Sequence, residues 1–234
     1  MEQETLETYQ QAIAIYETAL KFTPNDFKTL RRLGMALEKL SQLYWCLDHH
    51  QYAIDTLKQA IATYKTAFEQ TPNDTLNISY LGMLIERLAQ QQFNQKQYTE
   101  AFVTYQQAVA IYDRTLKFAP NDYCSHALKA GVFISIADLH SYLSQYKQAL
   151  DNYQQASASY DISLLLKPIQ PIEFAQARTL QKIGNCLQQL SNKKEALGYY
   201  QAAMKIFKRI LPPNDKYIIF VEQEMQKVLA ESID

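Results

Sequence analysis

The tripeptide Pro-Asn-Asp returns on a fixed period, and that period restricts the chain to a repeat architecture. It stands at Pro24–Asp26, Pro72–Asp74 and Pro120–Asp122, two steps of 48 residues. A further step lands on Pro168, within a Pro-rich turn that ends at Pro171, and a last copy, Pro213–Asp215, arrives three residues early. Self-similarity at about 20–50 residues marks stacked units, each too small to bury its apolar face alone.

The segment before each turn carries a second pattern, in steps of 4, 3, 4 and 4. It reads Thr5, Tyr9, Ala12, Tyr16, Leu20, then Ala53, Leu57, Ala60, Tyr64, Phe68, then Ala101, Tyr105, Ala108, Tyr112, Leu116. Ala149, Tyr153, Ala156, Tyr160, Leu164 and Ala196, Tyr200, Ala203, Phe207, Leu211 complete the series. Steps of three and four line one face of an α-helix. Small Ala alternating with large Tyr or Leu lets neighbouring helices approach closely and interlock. These are the B helices.

After each turn comes an A helix. Leu30, Leu33, Gly34, Leu37 and Leu40 recur as Ile78, Leu81, Gly82, Ile85 and Leu88, and as Leu180, Ile183, Gly184, Leu187 and Leu190. The third copy reads Ala127, Ala130, Gly131, Ile134 and Ala137. Four of the five glycines therefore share one reading of the repeat. A helical glycine costs about 1 kcal/mol relative to Ala, which close contact with a partner helix would offset. Asn or Asp after the Pro suits the start of each A helix, where a side-chain oxygen can cap free amides. The A-to-B turns are expected near Asp48–His50, Phe93–Gln95, Ser144 and Ser191–Asn192.

Composition narrows the function. Twenty-three basic residues against 24 acidic ones leave a net charge of −1, without the basic excess of a nucleic-acid binder. Eight of the 17 tyrosines fall on the B-helix ridge, where core packing explains them without RNA stacking. The longest purely apolar runs, Tyr217 to Val221 among them, are far shorter than the roughly 18 residues that span a bilayer. Met1 to Glu7 is acidic and polar, unlike a secretory signal. Cys46, Cys124 and Cys186 are odd in number and far apart, and read as reduced thiols of a cytosolic protein. The chain contains no His-Glu-x-x-His, Cys-x-x-Cys or Gly-x-Ser-x-Gly, so neither a metal, a cofactor nor catalysis is expected. Cys46, Asp48, His49 and His50 offer ligand types, but adjacent histidines point differently on a helix, and the segment reads as a polar turn. His126 and His140 lie about four turns apart, too far to cooperate directly.

These patterns resemble the tetratricopeptide repeat, a helix–turn–helix unit of about 34 residues. Gly184, Ala196, Tyr200 and Ala203 match the family's spacing, with Pro212 closing the unit. Gly34 to Ala53 and Gly82 to Ala101 each span 19 residues, seven more than the family's twelve. One added turn on each arm would need about 3.6 residues twice over; a second seven falls at the B-to-A turn. The resemblance implies an all-α, right-handed α-solenoid of antiparallel hairpins with about ten helices. The expected organisation is one superhelical domain over 1–234, with an unpaired helix at 1–23, hairpins at 24–71, 72–119, 120–167 and 168–212, and a capping helix at 213–234.

The resemblance also implies a cytoplasmic, non-catalytic adaptor that holds a partner's peptide or helix in a concave groove lined by A helices. Carried over by the glycine register, the groove positions are Lys28, Arg31, Met35 and Glu38, then Ser79, Met83 and Arg87. Leu128 and Val132 follow in the third hairpin, and Arg178, Gln181, Lys182 and Asn185 in the fourth. Arg178, Lys182 and Asn185 look like part of the family's clamp for a terminal carboxylate, while Met35 and Met83 stand where it would have Asn. Methionines with basic edges suit an amphipathic helix or an acidic-hydrophobic peptide. The same basic residues also fit a solvated face paired with Glu38. Two other functions stay open: self-assembly as a dimer or stack, and a regulatory domain of a larger protein.

Overall fold

The computed structural model describes residues 2–69 and 74–230. These form ten α-helices: α1 (Glu2–Phe22), α2 (Phe27–Cys46), α3 (His50–Glu69), α4 (Thr75–Asn94), α5 (Tyr98–Phe118), α6 (Tyr123–Tyr142), α7 (Tyr146–Leu166), α8 (Gln170–Gln189), α9 (Lys193–Ile210) and α10 (Lys216–Ala230). Among the described residues there is no strand. The chain divides into two compact units, the first ending at Phe118 and the second beginning at Ala119. In the first, α2 pairs with α3 and α4 with α5, while α1 packs on α2 and α3 on α4. In the second, α6 pairs with α7 and α8 with α9, α7 packs on α8, and α10 packs on α9.

The Pro-Asn-Asp turns do what their chemistry allows. The Asp26 carboxylate accepts from the Thr29 amide at 3.0 Å, Asp74 from Asn77 at 3.2 Å and Asp122 from Ser125 at 3.2 Å. These bonds satisfy amides that have no partner within the first turn. Pro72 and Asn73 of the second turn lie outside the described residues. At α8 the cap residue is Ile169, which makes no side-chain bond, and Pro171 stands in the first turn instead. Asp215 accepts from the Tyr217 amide at 2.9 Å at the start of α10.

The A-to-B turns share one backbone form. Asp48, Lys96, Ser144 and Ser191 all have φ near 60°. Each sits within a pair of closing bonds, as where the His49 amide donates to the Tyr44 carbonyl at 2.9 Å and the Asp48 amide to that of Trp45 at 3.2 Å. This is the Schellman closure, which favours glycine at its left-handed residue. The four non-glycine residues there explain why sequence placed the second turn at Phe93–Gln95, short of Lys96.

The B-helix ridge is the core. Ala53, Ala60, Ala101, Ala108, Ala149, Ala156, Ala196 and Ala203 are fully buried, and Tyr64, Tyr105, Tyr112 and Tyr200 nearly so. On α1, which packs against α2, the equivalent Tyr9, Ala12, Tyr16 and Leu20 are half-buried.

The glycine register needs correction. The four A helices are each 20 residues long. Their eighth residues are Gly34, Gly82, Ala130 and Ala177, and their fifteenth are Ser41, Ala89, Ala137 and Gly184. Gly131 therefore lies one residue past the repeat position, a rotation of about 100° on a helix, and Gly184 lies seven past it. Both small positions are close-contact sites. A Cβ on Gly34 would come within 2.9 Å of the Tyr64 ring, one on Gly82 within 2.7 Å of Tyr112, and one on Gly184 within 2.6 Å of Tyr200. A Cβ on Gly131 would meet nothing within 4 Å.

The second small position also relocates the extra turns. Ser41, Ala89, Ala137 and Gly184 each precede Ala53, Ala101, Ala149 and Ala196 by twelve residues, so all four hairpins keep the spacing seen in the last. In the first hairpin the fit is direct: the Ser41 hydroxyl donates to the Ala53 carbonyl at 2.7 Å. Lengthening beside the A-to-B turn is thereby excluded. The fourteen residues beyond the family's roughly 34 lie at the opposite, open end, shared between the end of one B helix and the start of the next A helix.

Substitution tests this packing. Gly131→Ala removes a helical glycine without a clash and is expected to raise stability by about 0.5–1 kcal/mol. Gly184→Ala drives a methyl into a ring whose hydroxyl is tied to Asn185 and Gln188, and is expected to cost about 1–3 kcal/mol. Thermal unfolding followed by circular dichroism reads both; equal shifts of the same sign would reject the assignment.

Candidate functional site

In the first unit the candidate residues split into free and committed sets. Lys28, Arg31 and Arg32 project from the first two turns of α2, and all are exposed. Among the described residues their side chains have no ion pair or hydrogen bond. Met35, one turn on, is 49% exposed, and Met83 at the same place on α4 is 42% exposed. Two adjoining clefts share Arg31 and Met35. One, of about 260 Å³, is lined by Phe27, Lys28, Arg31, Arg32 and Met35. The other, of about 330 Å³, lies between α2 and α4 and is lined by Arg31, Met35, Tyr64, Asn77 and Tyr80.

Glu38 and Arg87 do not belong to that free surface. Glu38 is buried, and Arg87 donates to its Oε1 at 2.6 Å. Gln42 donates to the same oxygen at 3.0 Å, and the Tyr80 hydroxyl to Oε2. The carboxylate is a tie between α2 and α4, and it does not pair with Arg31. Ser79 is half-buried and already partnered. Tyr64 is 1% exposed, and its hydroxyl lies within hydrogen-bonding reach of Tyr80. Burial raises its pKa above the usual phenol range, Tyr80 and Glu38 add to the shift, and Arg31 opposes it.

In the second unit the candidates are mostly engaged by their own chain. Val132 is fully buried and not a surface position, since Gly131, from which it was counted, lies one residue past the repeat position; Leu128 is half-buried. Gln181, counted from Gly184, is also buried. The Arg178 guanidinium stacks over the Tyr217 ring at 4.7 Å. Lys182 pairs with Asp138 at 2.6 Å, and Asn185 accepts from the Tyr200 hydroxyl at 2.7 Å. Lys182 and Asn185 share a cleft of about 210 Å³ with Ser141, Tyr146, Tyr153, Cys186 and Gln189, and Arg178 is not among its walls. The Cys186 thiol is pushed up to about 11 by burial, with Asp138 adding and Lys182 opposing.

Sequence missed Phe27, Asn77, Tyr64 and Tyr80. Each lies on the helix-start or B-helix side of the cleft, outside the glycine-based register. In the turn cluster the His50 ring lies tilted against Trp45, with centroids 4.4 Å apart, and its Nε2 stands 3.7 Å from Asp48. Among the described residues no helix is long and apolar enough to cross a membrane.

Residues 176–215 match the family model described as tetratricopeptide repeat, beginning six residues into α8. No curated protein sequence matches the chain. Among solved structures, BtubC (BKLC) from P. vanneervenii aligns at a TM-score of 0.67 and 13% identity, over 100% of this chain and 85% of that one. Kinesin-light-chain-type TPR-like repeats of Podosopora anserina align at 0.61 and 17%, over 87% of this chain and 88% of theirs. At such identities the likeness is one of fold.

Two measurements check the division into free and committed groups. Glu38→Ala strands Arg87 and Tyr80 and is expected to cost about 1–3 kcal/mol, less than a fully buried pair because Arg87 is partly exposed; Arg31→Ala is expected to leave the melting temperature unchanged. With a thiol-specific chromogenic reagent near pH 8, exposed Cys46 and Cys124 should react promptly and Cys186 only in denaturant. Three fast thiols in the native protein would contradict the packing around α8.

Proposed function

We propose that this chain, a tetratricopeptide-repeat protein by its matched last hairpin and its fold, is a non-catalytic protein-interaction module. It docks a peptide or helix of a partner on the A-helix face of its first unit. The observation that carries this reading is the coincidence, on α2 and α4, of exposed methionines with cations that have no ion pair among the described residues. Exposed thioethers adapt to varied apolar side chains, and free arginines are enriched where partners bind. The second unit supports the reading less, since Arg178, Lys182 and Asn185 are already engaged. The relatives' fold fits an interaction scaffold, and the partner's identity lies beyond what that fold implies.

A second reading, self-assembly, draws on Ile15 and Phe22 of α1, which are 67% and 83% exposed. One experiment separates the two. The immobilised chain and its Met35→Lys/Met83→Lys variant are each incubated with lysate of the source organism, with circular dichroism confirming equal melting. Under the interaction reading a bound protein is retained by the wild type and falls about tenfold or more in the variant. Equal retention by both removes the A-helix face as the interface. Recovery of only the chain itself favours self-assembly.

A further inference from the structure

Helices α1 and α5 carry nearly the same face and differ in what covers it. Thr8, Ala12, Ile15 and Phe22 of α1 recur two periods later as Thr104, Ala108, Ile111 and Phe118, while Thr5 and Ala19 stand where α5 has Ala101 and Thr115. In α5, which pairs with α4, Ala101, Thr104, Ala108 and Thr115 are buried and Ile111 is half-buried; only Phe118, at the rim, is 52% exposed. In α3 the residue that repeats Thr5 is Ala53, and the Ser41 hydroxyl of α2 reaches its carbonyl at 2.7 Å. This is therefore the face on which a hairpin's own A helix lies. On α1 it stays open among the described residues. Thr5 and Thr8 are exposed, Ile15 is 67% and Phe22 83% exposed, and Ala12 and Ala19 are half-buried.

The open face has a pattern of its own. Positions 5, 8, 12, 15, 19 and 22 alternate steps of three and four, the seam of a coiled coil. None of the six residues is charged. The Thr8 hydroxyl already donates to the Glu4 carbonyl at 2.7 Å, so it can enter an interface without losing a partner. The seam is also symmetric about a point between Ile13 and Ala14. Turned end for end, it sets Ile15 against Ala12, Phe22 against Thr5 and Ala19 against Thr8. Small residues then receive the two large ones, and the two alanines permit the close approach that ridge alanines permit inside the fold.

Resting on the self-assembly reading above, and apart from docking on α2 and α4, we propose that this seam holds the α1 of a second copy. The two helices run antiparallel about a two-fold axis that passes between Ile13 and Ala14. A second copy supplies the complementary seam by symmetry, whereas any other helix would have to match it residue by residue. One helix pair is a small interface, so the dimer dissociates in the range of about 1–100 µM.

Sedimentation of the full chain across that range tests the proposal, with circular dichroism confirming equal melting of each variant. The wild type should pass from monomer to dimer. Ile15→Lys/Phe22→Lys, which alters only exposed positions, should weaken the dimer about tenfold or more, and Met35→Lys/Met83→Lys should dimerise as the wild type does. Register is read by disulfides formed with Cys46→Ser and Cys124→Ser in place. Thr8→Cys mixed with Ala19→Cys should link into dimers, while neither variant alone should link to itself. Self-linking without linking in the mixture overturns the antiparallel seam. A dimer indifferent to Ile15→Lys/Phe22→Lys overturns the seam and leaves self-assembly intact, and a monomer at every concentration overturns both.

Discussion

The structure depends on how closely an A helix can approach its B helix. A tyrosine ring lies over the A-helix backbone where a Cβ would come within 2.9 Å or less, at Gly34, Gly82 and Gly184. Where Ser41 occupies the second close position, its hydroxyl reaches the Ala53 carbonyl at 2.7 Å. These contacts set the spacing of the pair, and spacing with phase decides which residues face outward. The same ridge ties the helices through polar ends: the hydroxyls of Tyr105, Tyr153 and Tyr200 donate to Gln90, Asp138 and Asn185, fifteen residues upstream in every case.

Phase explains which parts of the fold were legible in sequence. The helices, the B-helix ridge and the Asp caps were readable because each rests on a residue type at a fixed spacing: Ala and Tyr along one face, Asp before the first amides. The A-helix register was less so. Glycine marks close approach in α2, α4 and α8, but alanine fills the first small position in α6 and α8 and the second in α4 and α6. Gly131 was a false marker, and it carried Val132 onto the surface when it belongs in the core. The second A-to-B turn was blurred because Lys96 adopts a conformation that glycine usually advertises.

The candidate site was legible as chemistry and not as pairing. Lys28, Arg31, Met35, Glu38, Met83 and Arg87 could all be picked from one helix face. Nothing local distinguishes the arginine that is free from the one held by Glu38, 49 residues upstream. The same holds for Arg178, whose guanidinium lies on the ring of Tyr217 from a different helix. A partner sees only what internal pairing leaves over, and in the first unit that remainder is basic and thioether-rich.

The placement of the extra fourteen residues has an evolutionary consequence. Seven residues advance a helix by almost two full turns, within about 20° of its starting phase. A hairpin can therefore gain that length on each arm at its open end while its tight turn and buried seam stay as they were. New surface is added without disturbing the contacts that define the fold, and it is free to diverge. A repeat protein that grows this way acquires fresh recognition chemistry by elongating its units instead of by adding more of them.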